Sequence, residues 1–361
     1  MAIALLCHLV VVAGLAAASV GASAAAPPAA PAVPAAEQGQ APVAPTSLSL
    51  IAAMPPGTES VLVMRIEPLL AEGSRVAHYA RAARNPKNPA GGGERDLLTV
   101  VYDAVAEQRP MVLARGASRM RAPRSIGVGA YDECDICWVR GSLAGLRERL
   151  RAGEDIEDLR RVEEVDGVEV FGATVTMVRD GEDRKALDEG RPPKEERFVA
   201  VVDAHTVVVA SRREDAAAAV RGVLARREGP VPEQWRAAAA GLPLDAPLVI
   251  LRRYDPTNEL DVYSPENPRR EPALRAGLDS LGLAVVDPVT GELRVRGVTP
   301  DAERAVRVLQ TQSYLPRSDY AWAIEMGEGG FTADLTPRIG REEEGVLGLR
   351  LWIIWGPNVA M

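Results

Sequence analysis

The residues best equipped for chemistry in this chain are two cysteines, Cys134 and Cys137, set as Cys-Asp-Ile-Cys. A C-x-x-C spacing lets one thiolate attack a disulfide while the second thiol resolves it. In an oxidising compartment the same spacing also serves as a local disulfide bracing a turn. Asp132, Glu133 and Asp135 surround the pair, and negative charge disfavours a thiolate. If both cysteines lie on one flat strand, positions i and i+3 face opposite ways and cannot bond. A zinc site would need further ligands, yet no second C-x-x-C exists and His78 and His205 are the only histidines beyond His8. Structural disulfide, free thiols and redox or metal chemistry therefore stand side by side.

A second candidate is cationic. Arg109, Arg115, Arg119, Arg121 and Arg124 fall in a stretch with no acid. Of these, Arg115, Arg119, Arg121 and Arg124 form a candidate site for an anionic lipid, a cell-wall polymer or a phosphate. A solvated loop is the plainer reading of such a run. Asp255, Glu259 and Asp261 crowd three carboxylates together, although Asp255 is most simply a helix cap. The charged stretch Asp180 to Glu196, with Pro192-Pro193, reads as a surface loop without the ligand spacing of a calcium loop. His205 sits in a turn between two strands. No nucleophile elbow, zinc-protease helix, phosphate-binding loop or dinucleotide fingerprint occurs. No catalytic residue, metal or cofactor is predicted, and a non-enzymatic role leads.

Composition narrows the partners. The formal net charge of −8 repels phosphate backbones, so nucleic acid is not an expected partner. Aromatics make up only 4% of the chain, so the core must be built from Ala, Val and Leu. Ile3 to Val20 is almost wholly apolar and leads to Ala22-Ser23-Ala24. A short apolar run ending in an A-x-A site reads as a secretory signal peptide, here residues 1–24, although no Lys or Arg precedes it. Cleavage after Ala24 or Ala26 gives an exported protein; an uncleaved segment gives a membrane anchor. Residues 25–47 are rich in Ala and Pro, too stiff for a helix and too poor for a core, and read as a spacer.

The body is predicted as α+β, in two similar units at 48–232 and 233–361. Residues 199–206 read V-A-V-V-D-A-H-T and residues 283–290 read L-A-V-V-D-P-V-T. Each predicts a hairpin followed by a helix, with Ser211 and Glu214 as a capping box in one copy and Thr299-Pro300 opening the other. The stripe Ala216, Ala219, Val220, Val223 recurs as Ala302, Ala305, Val306, Leu309. Val61 to Pro68 similarly matches Val249 to Pro256, each a strand running into acid-Pro. These patterns predict an antiparallel or mixed sheet with helices on one face. Val346 to Trp355 alternates strictly, with Leu347, Leu349, Leu351, Ile353 and Trp355 on one side. Trp352 and Ile354, on the other side, would cover a helix of the chain or contact a partner.

Met54-Pro55-Pro56-Gly57-Thr58 entering a Val-rich strand, and the run from Phe198 to Ser211, resemble uncharacterised exported bacterial proteins built of repeated strand–helix units. The resemblance implies secretion and an α+β repeat, and brings no activity or site residues. The expected protein is thus a periplasmic, cell-envelope or extracellular scaffold or binder of an unknown envelope macromolecule. The rival is an exported enzyme, either a carboxylate-based hydrolase or a thiol oxidoreductase using Cys134 and Cys137.

Overall fold

A computed structural model describes residues 43–84, 95–125, 128–153, 156–176, 185–186, 188–190, 194–225, 231–254, 277–312 and 315–338. The predicted signal peptide, most of the spacer, the Asp255–Asp261 carboxylates and the Val346–Trp355 strand lie outside these residues.

Twelve strands form one sheet among the described residues. They are β1 (Ser60–Arg65), β2 (Pro110–Ser125), β3 (Val128–Val139), β4 (Arg160–Val165), β5 (Val168–Thr176), β6 (Lys194–Val201), β7 (Thr206–Ala210), β8 (Leu248–Arg253), β9 (Ser280–Asp287), β10 (Glu292–Val298), β11 (Tyr320–Gly327) and β12 (Gly330–Pro337). Their spatial order is β11-β12-β10-β9-β8-β1-β2-β3-β7-β6-β5-β4. Every neighbouring pair among these described strands is antiparallel. Short turns make this possible. Asp166 and Gly167, at φ 50° and 83°, join β4 to β5, and this pair of left-handed residues matches the twist of a two-residue hairpin.

The helices are α1 (Ser47–Ala53), α2 (Ile66–Leu69), α3 (Ala77–Arg84), α4 (Leu97–Glu107), α5 (Ala144–Ala152), α6 (Arg213–Leu224), α7 (Glu233–Ala239) and α8 (Ala302–Gln312). They cover both faces of the sheet, which corrects the expectation of one. On the first face, α2, α3, α4, α5 and α8 share a core with Leu62, Leu113, Cys137, Val199, Ile250 and Val285. On the second, α1, α6 and α7 share a core with Val61, Ala114, Cys134, Ala200, Val249 and Ala284. Central strands are consequently apolar on both sides: all five residues of β7 are buried. A strand apolar on both sides says nothing about which side its helix will take.

Both matched segments form a hairpin and then a helix, but the helices part company. Ala216, Ala219 and Val220 of α6 pack on the second face, whereas Ala305, Val306 and Leu309 of α8 pack on the first. The caps differ from expectation as well. Ser211 does not cap α6; its hydroxyl accepts from Glu133 N at 2.7 Å and donates to Glu133 O at 3.1 Å, extending the β3–β7 contact. At α8 the carboxylate of Asp301 accepts from Arg304 N at 3.0 Å. Thr299 stands two residues further out, accepting from Asp301 N at 3.2 Å. The body also begins before residue 48, since Thr46 caps α1 by accepting from Ser49 N at 3.1 Å.

Candidate functional site

The cysteines sit on β3, and the strand decides their chemistry. Side chains alternate across a pleat, so Cys134 joins the core of the second face and Cys137 that of the first. Three residues of strand also span about 10 Å, beyond disulfide reach. Both thiols are free and buried, which corrects the disulfide expectation. Burial first, and the Asp135 carboxylate second, push the Cys137 thiol up to about 12 and Cys134 well above its ordinary value. Both thiols are thus held in the protonated form at neutral pH, which disfavours attack on a disulfide.

Between them, Asp135 holds a buried ion pair. Arg115 on β2 lies directly opposite Asp135 in the β2–β3 register. Its guanidinium donates through Nε to Oδ1 and through Nη2 to Oδ2, both at 2.7 Å. This is a bidentate fork–fork pair. Burial alone would lower the Arg115 pKa, but the Asp135 charge and hydrogen bonds, helped by Glu133 and Tyr102, hold it above its ordinary value. Tyr102 of α4 is pushed up in turn, chiefly by burial and then by Asp135. The N-cap Asp96 fixes that helix by accepting from Leu98 N at 2.9 Å, and it also receives Thr176 N of β5 at 3.4 Å.

Arg197 on β6 faces the same side as Val199 and Val201. It is 4% exposed and donates to Glu195 at 3.0 Å and to the Glu196 carbonyl at 3.1 Å. Its Nη2 is buried without a partner. A row of fixed charges thus crosses the first face beneath α4. Within it, burial and the Asp135 charge favour the neutral thiol of Cys137 and the neutral phenol of Tyr102.

Of the predicted anion site, Arg115 alone has a described side chain. Arg115 is consumed by Asp135, and the whole run from Arg115 to Arg124 belongs to β2 of a long hairpin, not to a loop. The side chains of Arg119, Arg121 and Arg124 lie outside the described ones. Lys194, Glu195 and Glu196, expected in a charged loop, open β6. His205 does occupy the β6–β7 turn, where Nδ1 lies 2.8 Å from Gly141 O and the ring centroid lies 5.9 Å from that of Trp138, the planes tilted by 39°. It ties one hairpin end to the turn before α5. Among the described residues no group of three or more His, Cys, Asp or Glu could hold a metal, and no helix is long and apolar enough to cross a membrane.

No family model matches the chain. No curated protein matches it either. Among solved structures, crystal form III of TP0453 aligns over 87% of this chain and 100% of its own, at 6% identity and a TM-score of 0.40. Crystal form IV aligns over 85% and 98%, at 9% identity and the same TM-score of 0.40. Likeness at that level carries no argument about activity.

Proposed function

We propose that this chain is exported and acts beyond the cytoplasm as a non-enzymatic scaffold or binder of an envelope macromolecule. The observation that carries the reading is the fate of its two reactive motifs. The cysteines are protonated and walled into opposite cores, and the leading arginine of the cationic run is paired with Asp135. What could have done chemistry is spent on holding the sheet together. The apolar segment before Ala24 supplies the route out of the cell.

The scaffold itself reads as a duplication, on a register other than the hairpin match suggests. In the sequence match, Leu62 corresponds to Ile250. In the sheet, Leu62 lies opposite Ile250, with Val61 opposite Leu251 and Val63 opposite Val249. A local two-fold axis therefore passes between two matched residues. Outward from it run β1, β2, β3, β7, β6 on one side and β8, β9, β10, β12, β11 on the other. Helices α5 and α8 follow β3 and β10 and pack on the same face. The β4–β5 hairpin is an addition to the first unit.

The test is to express the full chain in a bacterium, separate the envelope from the cytosol, and crosslink before purification. The expected product starts after Ala24 or Ala26, lies outside the cytosol and carries a crosslinked envelope component. An intact N-terminus in the cytosol would sink the proposal.

A further inference from the structure

The two edges of the sheet are treated differently. β4 is guarded by charge: Arg160 pairs with Glu196, Arg161 with Glu164 and Glu169, and Glu163 with Arg213. Charged edges resist the addition of another strand. β11 reads Y-A-W-A-I-E-M-G, eight residues with one charge and neither Lys nor Pro. Among the described residues it pairs only with β12. Trp322 and Ile324 reach the first-face core only in part, Met326 is 51% exposed, and the Trp322 indole N–H is buried without an acceptor. In the other half, the outer side of β6 is covered by β5.

We propose that the open edge of β11 is the docking site for this chain's own Val346–Trp355 segment. Three observations select that occupant. The chain leaves β12 beside the start of β11, because Tyr320 pairs with Pro337, Arg338 N donates to Asp319 O, and Arg338 Nε donates to Arg317 O, both at 2.9 Å. Crossing β11 from there spans two strand spacings, about 10 Å, and residues 339–345 reach roughly twice that. Running parallel to β11 needs this crossing alone, whereas the opposite sense needs the connector almost fully extended. Second, the segment alternates with period two, so its Leu347–Trp355 side continues the core beside Trp322 and Ile324. Third, Arg350 is the segment's single charge and falls on its other side. That side matches Ala321, Ala323 and Glu325, so the one charge of each strand shares a face with its opposite.

Hydrogen exchange on the full-length chain, at two protein concentrations, tests this directly. The β11 amides that do not bond to β12 should exchange about tenfold or more slowly than unstructured amides, equally at both concentrations. A full-length Leu351→Pro variant should lose that protection while the β1–β3 amides keep theirs, which separates undocking from unfolding. Free exchange along the outer side of β11 in the parent chain would overturn the proposal. So would protection that survives Leu351→Pro, or protection that grows with concentration and so points to a second copy.

Discussion

Arg115 and Asp135 form a pair whose halves are worth little apart. A buried charge that loses its partner is strongly destabilising, whereas removing both partners together can be nearly neutral. Asp135→Asn is therefore expected to cost about 3–5 kcal/mol in urea denaturation, and Arg115→Met with Asp135→Leu to recover most of that loss. The thiols give a second expectation. Neither Cys134 nor Cys137 should react with a thiol reagent in the native protein, and both should react in denaturant. Their raised values also fix the alkaline limb. The folded state keeps these protons to about 12 for Cys137, whereas the unfolded thiols release theirs near about 8.5. Stability from this source is thus complete below about 8.5 and falls as pH rises towards 12. Cys137→Val should make a urea-versus-pH curve shallower there, and an unchanged curve would refute the assignment. At this scale the residue types were legible but their partners were not. Asp135 looks in the sequence like a nuisance to a redox motif; only the β2–β3 register makes it the counter-ion of a residue twenty positions away.

Elements pack closely where glycine permits it. A Cβ at Gly282 on β9 would lie 2.1 Å from the Ala238 carbonyl oxygen of α7, and one at Gly222 of α6 would lie 2.6 Å from the Ala53 Cα of α1. Both obstacles are backbone, so they cannot swing aside. Gly282→Ala and Gly222→Ala should each cost about 1–3 kcal/mol or more. Gly145 in α5 meets nothing within 4 Å, and Gly145→Ala should instead gain about 0.5–1 kcal/mol. Thermal or urea midpoints of the three variants check the ordering. The strands and amphipathic helices follow from local pattern: β6, β7, β9, β10, α6 and α8 stand where periodicity puts them. Their sides do not. The apolar stripes of α6 and α8 are nearly interchangeable, and each docks wherever its connection and the neighbouring helices leave apolar strand surface uncovered. Ser211 shows the same limit, since its hydroxyl serves β3 once a residue 78 positions away arrives.

On the scale of the whole molecule, the β1–β8 seam joins the two halves of the described sheet. Leu62 and Ile250 are both buried on the first face, and the sheet is continuous through them. Leu62→Ala and Ile250→Ala should each lower stability by about 2–5 kcal/mol. Because the strand pairing runs unbroken across β1 and β8, calorimetry should show a single shifted transition, and two separated transitions would disprove the seam. By itself the sequence determined that this chain carries hairpins, amphipathic helices, a repeated pattern and no recognised catalytic motif, because those depend on neighbours within a dozen residues. Tertiary structure alone decided that the twelve described strands pair antiparallel, that helices cover both faces of their sheet, that the cysteines point apart, and that Arg115 meets Asp135. The physical reason is that register and facing are set by contacts distant along the chain, and a strand apolar on both sides encodes neither.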